Sequence, residues 1–229
     1  MSDRPILLVH GFASSFERNW REPGWVDLLV DAGRTVIELD LPGHGSAPKW
    51  HEPDAYDGLH EAVAAAIPDG AIVDAIGFSL GAWLLLQVAA AQPARFGRLV
   101  VAGVGANLFT DDDPETSARA VEIGRAAEGD PPVARAFALF GRVAGNDPAA
   151  LAACLRRRRR PFESADLEAL DRPVLVVLGD RDFAGPADPL VAALPDARLL
   201  TLPGVDHFAT PKDVRFIAAA LEFVGATPP

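Results

Sequence analysis

Apolar residues fall in short runs along this chain, separated by stretches in which alanine and leucine mix with charged residues. Ile6–Val9 is wholly aliphatic, and residues 35–39, 71–76, 99–101, 174–178 and 198–202 repeat the theme. Runs of this length without polar alternation predict strands buried on both faces of a sheet. Between them Trp25–Asp31, residues 56–67, Leu80–Ala91, residues 187–194 and Val214–Val224 have helical composition. Strand and helix in alternation predict an α/β protein with a mostly parallel sheet of about six strands and helices on both faces. Ligands of such sheets collect at the carboxyl ends of the strands, so chemistry is sought in the loops that follow each run.

The alternation breaks between Gly103 and Asp171, where the sequence turns alanine-rich and helical, with prolines at 114, 131, 132, 148 and 161. Residues 105–167 read as a small helical lid inserted into a core made of residues 1–104 and 168–229. Within it, five consecutive arginines, Arg156 to Arg160, precede Pro161, whose ring disfavours helix at the residue before it. At ~100° per residue, successive side chains circle a helix rather than share one face. A solvated helix end is therefore the expected role, with a site for an anionic ligand as the alternative.

The 229 residues are 49% hydrophobic and 23% charged, enough for one substantial core. Lysine and arginine number 21 against 32 aspartates and glutamates, a net charge of −11. That charge repels phosphate backbones and anionic bilayers, so neither nucleic acid nor membrane is an expected partner. The single cysteine, Cys154, offers no internal disulfide and no cysteine-built metal site. The chain enters its first apolar run at once, that run is too short for a secretory signal, and no stretch approaches the ~20 apolar residues of a membrane span. A cytoplasmic protein is expected.

Gly77-Phe78-Ser79-Leu80-Gly81 matches G-x-S-x-G, and its setting matters more than the match. It lies between an apolar run and a helical stretch, the strand, sharp turn and helix that expose a serine hydroxyl for nucleophilic attack. Serine needs a general base and a group to orient that base. Five histidines are available. His10, His44, His51 and His60 lie in or near the early loops, whereas His207 stands directly after the last strand and before the final helix, where it can hang over the sheet edge toward Ser79. His207 is the chosen base. For the acid, Gly179-Asp180-Arg181-Asp182 follows residues 174–178. Asp182 stands farther out along the turn, within reach of His207; Asp180, beside the strand, is the better turn stabiliser. The acidic run Asp111 to Asp113 is a more distant candidate.

The order Ser79, Asp182, His207 is that of the α/β-hydrolase triad, and the chain resembles the α/β-hydrolase fold family. The matching pieces are His10-Gly11-Phe12 after the first strand, Asp40-Leu41-Pro42-Gly43-His44-Gly45-Ser46 after the second, the turn at Ser79, Gly179-Asp180-Arg181-Asp182 and Gly204-Val205-Asp206-His207-Phe208. Together they span nearly the whole chain in the family's order. The resemblance implies an oxyanion hole formed by the backbone N–H groups of Phe12 and Leu80, each such donor being worth roughly 3 kcal/mol of barrier. It implies that His44 belongs to a structural glycine turn. Two features depart from the family: the antiparallel hairpin common before the His-Gly strand does not precede it here, which suggests a sheet trimmed to about six parallel strands, and the lid insertion is short, which suggests a compact or rather open acyl pocket. Phe109, Phe137, Phe140, Phe183 and Phe208, beside Phe12 and Leu80, are the candidate lining, although phenylalanine is also an ordinary core residue.

The implied activity is that of a serine hydrolase of carboxylesterase type, needing no metal and no cofactor, with a small ester or other activated acyl compound as its partner. Serine at the turn argues against branches resembling haloalkane dehalogenases and epoxide hydrolases, which use aspartate there. Thioesterase, lactonase, carbon–carbon bond hydrolase and perhydrolase chemistry suit the same residues. A hydrolase-like small-molecule receptor with little turnover is the reading from a different class. A metal site of His10, His44 and Asp40 lacks any recognised ligand spacing.

Overall fold

The computed structural model describes residues 3–111, 113–143 and 145–227. Among them one six-stranded sheet contains β1 (Ile6–Val9), β2 (Val36–Ile37), β3 (Val73–Phe78), β4 (Phe96–Ala102), β5 (Val174–Gly179) and β6 (Ala197–Leu202). The strands lie in the order β2-β1-β3-β4-β5-β6 and every neighbouring pair is parallel. The helices are α1 (Trp25–Asp31), α2 (Leu59–Ala66), α3 (Leu80–Ala91), α4 (Glu115–Ile123), α5 (Pro132–Gly141), α6 (Pro148–Arg156), α7 (Ser164–Leu167), α8 (Asp188–Ala193) and α9 (Val214–Val224). No helix among the described residues is long and apolar enough to cross a membrane.

Successive side chains point to opposite faces of a strand, and each aliphatic run divides accordingly between two cores. Leu7, Val9, Leu99, Val101, Val174 and Val176 join Val63 of α2, Leu84 and Leu85 of α3 and Leu190 of α8. Ile6, Leu8, Val100, Leu175 and Val177 face the other way, onto Trp25 and Leu29 of α1 and Phe216 and Leu221 of α9. With helices on both faces, each fully buried aliphatic side chain contributes about 1.5–3 kcal/mol, which is why the central strands are mainly aliphatic, with Asp74 in β3 and Arg98 in β4 as the charged exceptions.

The edges differ from the sequence reading. β2 is two half-buried residues rather than 35–39, since it has a ladder partner on one side only. β6 exposes Arg198, Leu199 and Thr201, because no further strand or helix covers that edge on both faces. β4 begins at Phe96, hidden in the sequence by Gly97 and Arg98. An added Cβ at Gly97 would strike Arg4 and Asp74. Asp74, fully buried in β3, accepts the Arg98 N–H at 2.9 Å and Arg34 Nη2 at 2.6 Å. Arg34 also donates to the carbonyls of Arg4 and Val224, tying the starts of the strands to the end of α9.

Between β4 and β5 the chain forms α4 to α7. Small side chains let α4 and α5 approach through Ala120, Ala134 and Ala138, while Val121 and Leu151 close on Ala13 in the loop after β1. The arginine run is not one solvated helix end, because α6 stops at Arg156 and the side chains separate. Arg156 bridges Glu115 and Glu122, Arg158 pairs with Asp57, and Arg160 pairs with Asp166. Arg157 is buried, its guanidinium 5.0 Å from the Trp83 ring centre and its Nη1 donating to the Cys154 carbonyl at 2.6 Å. The run is a seam that fastens these helices to one another and to the sheet layers.

Candidate active site

Ser79 joins β3 to α3 with φ 53° and ψ −115°, a conformation that costs a residue with a side chain roughly 1–3 kcal/mol. Glycines permit it. A Cβ at Gly77 would press on Ala82 and Leu85, and one at Gly81 would collide with the carbonyls of Val9 and His10. The turn can therefore pack directly against the end of β1. The Ser79 carbonyl accepts the Trp83 N–H at 3.0 Å. Because a trans peptide is planar, the Leu80 N–H points opposite that carbonyl, out of the amino end of α3 where helix N–H groups lack intrahelical acceptors and the dipole favours negative charge.

His207 follows β6 and Asp182 follows β5. His207 Nε2 lies 3.0 Å from Ser79 Oγ, and Nδ1 lies 2.9 Å from Asp182 Oδ1 and 3.0 Å from Oδ2. Their side chains are 4% and 0% exposed. Asp182 Oδ1 also accepts the Ala184 N–H at 2.9 Å, which fixes the carboxylate. A carboxylate at Nδ1 places the imidazole proton there and leaves Nε2 to accept from the serine hydroxyl. Close approach of the two loops needs Gly179, where a Cβ would collide with the Val205 carbonyl. The rings of Phe78 and Phe183 lie 4.9 and 4.3 Å from the imidazole and keep water from it. Asp180 instead accepts the Gly204 N–H at 2.7 Å, a bond that joins its loop to the one carrying His207 rather than one within its own turn. Of the acidic run, Asp113 accepts the Glu115 N–H at the start of α4, and Asp112 lies outside the described residues.

The Phe12 N–H is aimed by its own peptide group. The Gly11 carbonyl accepts His10 Nδ1–H at 2.8 Å and the Ser14 N–H at 3.3 Å, so the Phe12 N–H of the same planar unit points the opposite way. The Gly11 N–H donates to Asn19 Oδ1 at 3.0 Å. His10 Nε2 accepts the Leu41 N–H at 3.0 Å, and burial lowers the pKa of this imidazole. His44 is likewise buried and neutral, with its pKa lowered to about 3 chiefly by burial. Asp40 accepts the Phe16 N–H through one oxygen and the Ser46 N–H through the other, joining the two loops. Both nitrogens of His10 are thus engaged within the protein, and among the described residues no group of three or more His, Cys, Asp or Glu side chains is arranged to hold a metal ion. His51 pairs with Asp147 on the surface, at 2.9 Å.

A cavity of about 170 Å³ opens beside Ser79 and His207, and its lining includes Phe12, Phe137, Phe140 and Phe208 together with the charged Arg18, Glu22 and Lys212. Phe12 meets Phe137, and Phe140 meets Phe208, each with ring centres 4.9 Å apart. Two expected lining residues lie elsewhere. Phe109 packs against the large apolar cluster, because the turn that carries it faces the sheet layer, and Phe183 covers His207 from outside while half-exposed. The Leu80 side chain also joins the core, leaving its amide at the site. Sequence reasoning overlooked Asn19, Phe78 and Asn146; only Phe78, inside the G-x-S-x-G motif, carried a signal. A larger open recess of about 800 Å³ lies at the other ends of the strands, around Arg4, Ile72 and Arg98, and holds no nucleophile and base.

A parallel sheet with helices on both faces and a serine in a left-handed conformation at the β3–α3 corner are the features of the α/β-hydrolase fold. The chain belongs to the alpha/beta hydrolase family, which it matches over residues 6–220. It is 30% identical over 224 residues to the dihydrolipoyllysine-residue acetyltransferase component of the acetoin cleaving system of Pseudomonas putida, covering 89% of this chain and 58% of that protein. It is 27% identical over 208 residues to the pimeloyl-[acyl-carrier protein] methyl ester esterase of Neisseria meningitidis, covering 80% of this chain and 63% of that protein. The chain thus spans about three-fifths of the length of these two relatives. Among solved structures, a bromoperoxidase from Bacillus anthracis superposes with a TM-score of 0.74 at 22% identity, over 98% of this chain and 92% of that one, a likeness of fold.

Proposed function

We propose that this protein is a serine hydrolase of carboxylesterase type that cleaves a small ester or related acyl compound. The reading is carried by one observation, the unbroken hydrogen-bonded sequence Asp182, His207, Ser79 beside a cavity lined in part by phenylalanine rings. Ser79 Oγ attacks the acyl carbonyl as its proton passes to His207 Nε2, and Asp182 stabilises the imidazolium that forms. The carbonyl oxygen becomes an oxyanion between the N–H groups of Phe12 and Leu80, where losing one donor typically slows acyl transfer about 100- to 1000-fold. His207 then gives its proton to the departing alcohol. The acyl group stays on Ser79 until a water, deprotonated by His207, releases the acid.

The acyl chain lies among Phe12, Phe137, Phe140 and Phe208, with residues 105–167 acting as the lid that supplies two of those rings. A cavity of about 170 Å³ is smaller than the ~300–1,000 Å³ of sites for drug-sized ligands, which favours short acyl groups. The ester-cleaving activity in the name of the Neisseria relative belongs to the same reaction class. The test is hydrolysis of p-nitrophenyl esters from acetate to octanoate. Many turnovers per protein with a short-chain optimum, and none from Ser79→Ala, are expected. Absence of turnover with every ester would overturn the reading.

A further inference from the structure

We propose that Asn146, contributed by the segment between α5 and α6, is a positioning residue for the oxyanion hole; the proposal rests on the serine hydrolase reading above. The N–H of Phe12 is aimed by the Gly11–Ser14 turn, closed by the Ser14 N–H on the Gly11 carbonyl. The third residue of that turn is Ala13, with φ 55°. A turn of this hand calls for glycine at that place, and alanine there tends to relax to negative φ unless it is held.

Asn146 holds it. Its Nδ2 donates to the Ala13 carbonyl at 2.9 Å and to the Phe140 carbonyl at 3.0 Å. Both partners are carbonyl oxygens, so the NH₂ end of the amide must face them. One side chain therefore couples α5, which brings Phe137 and Phe140 to the cavity, to the turn that sets the direction of the Phe12 N–H. The Ala13 methyl is gripped as well, by Val121 and Leu151. Releasing the Asn146 bond lets the Ala13 peptide rotate and frees the Gly11 carbonyl from Ser14, leaving His10 Nδ1–H, at 2.8 Å, to hold the peptide unit whose N–H faces the oxyanion, so that the Phe12 N–H is aimed less closely. Asn146 touches neither Ser79 nor the cavity, and acts through the turn.

The test compares kcat and KM for p-nitrophenyl butyrate among wild type, Asn146→Ala, Asn146→Asp and Asn146→Ala combined with Ala13→Gly, with thermal melts to check folding. Asn146→Ala should lower kcat about tenfold, less than outright loss of a donor, with KM within about threefold of wild type. Asn146→Asp, which sets a carboxylate against two carbonyls, should lower kcat further, and it keeps the test open if the alanine variant does not fold. Ala13→Gly should restore about threefold in the Asn146→Ala background, because glycine adopts positive φ without the strap. A merely structural role for Asn146 predicts a raised KM, an unchanged kcat and no response to glycine; that pattern overturns the proposal while the hydrolase reading stands. A wild type with no turnover would remove both.

Discussion

Asp182→Asn exchanges one carboxylate oxygen for an amide nitrogen at a side chain wholly closed to solvent, 2.9 Å from His207 Nδ1. Two losses follow. The negative charge that stabilises an imidazolium disappears; for unit charges about 4 Å apart at an effective dielectric constant near 20, that interaction is about 4 kcal/mol, a factor of roughly 1,000 in rate. The amide can also turn its nitrogen toward Nδ1, which moves the imidazole proton to Nε2 and leaves nothing to accept from Ser79. Together they place the fall in kcat at about 1,000- to 10,000-fold, the size seen for the same exchange in other serine–histidine–aspartate enzymes. Asn retains an oxygen for the Ala184 N–H, so stability should change by about 1 kcal/mol or less. Asp180→Asn is the control, since its oxygen can still accept the Gly204 N–H, and kcat should stay within about threefold. The assay is kcat and KM on p-nitrophenyl butyrate for both variants, with thermal melts. Asp182→Asn within tenfold of wild type, or Asp180→Asn as the more damaging change, would refute the assignment.

Ser79→Ala should abolish turnover while unfolding within about 1 kcal/mol of wild type, and Ser79→Gly should be the more stable of the two by roughly 1 kcal/mol, because glycine accepts φ 53° without strain; paired melts decide it. Arg34→Ala leaves the buried Asp74 carboxylate without its 2.6 Å partner and should lower stability by about 3–5 kcal/mol in urea unfolding, with kcat of the folded protein preserved because the pair lies at the far ends of the strands. His44 has a folded-state pKa of about 3 against an ordinary 6.5, so below pH 6.5 the unfolded chain binds the proton that the folded protein refuses. Stability from this group is fully present above about pH 6.5 and falls by about 1.4 kcal/mol per unit, to a loss of roughly 5 kcal/mol near pH 3; His10 shifts in the same direction. Urea midpoints that stay flat between pH 7 and 4 would contradict neutral burial.

The fold could be read where one local rule governed it. Helices α1, α3 and α9 occupy the residues their composition marks, and the central strands are those whose aliphatic runs serve two cores at once. It was less legible where a tertiary partner set the outcome. β4 starts before its apolar run because Gly97 leaves space for Asp74, and Arg157 is buried through a contact with Trp83 on another element. At the site, Ser79, Asp182 and His207 each stand just past a strand, in loops the sheet order gathers at one end. Asn19 and Asn146 stand in no motif; what they hold, the Gly11 N–H and the Ala13 carbonyl, lies in a loop distant in sequence from Asn146. Phe109 and Phe137 are the same residue type, and only helix placement sends one to the core and the other to the cavity.

The central claim is that Ser79 is a nucleophile activated by His207, and covalent labelling tests it without knowledge of the natural substrate. Intact-protein mass spectrometry after reaction with a fluorophosphonate, followed by peptide mapping, should find a single adduct on Ser79, absent from Ser79→Ala and formed far more slowly by Asp182→Asn. A wild-type protein that stays unlabelled, or that carries the adduct on another residue, would contradict the account.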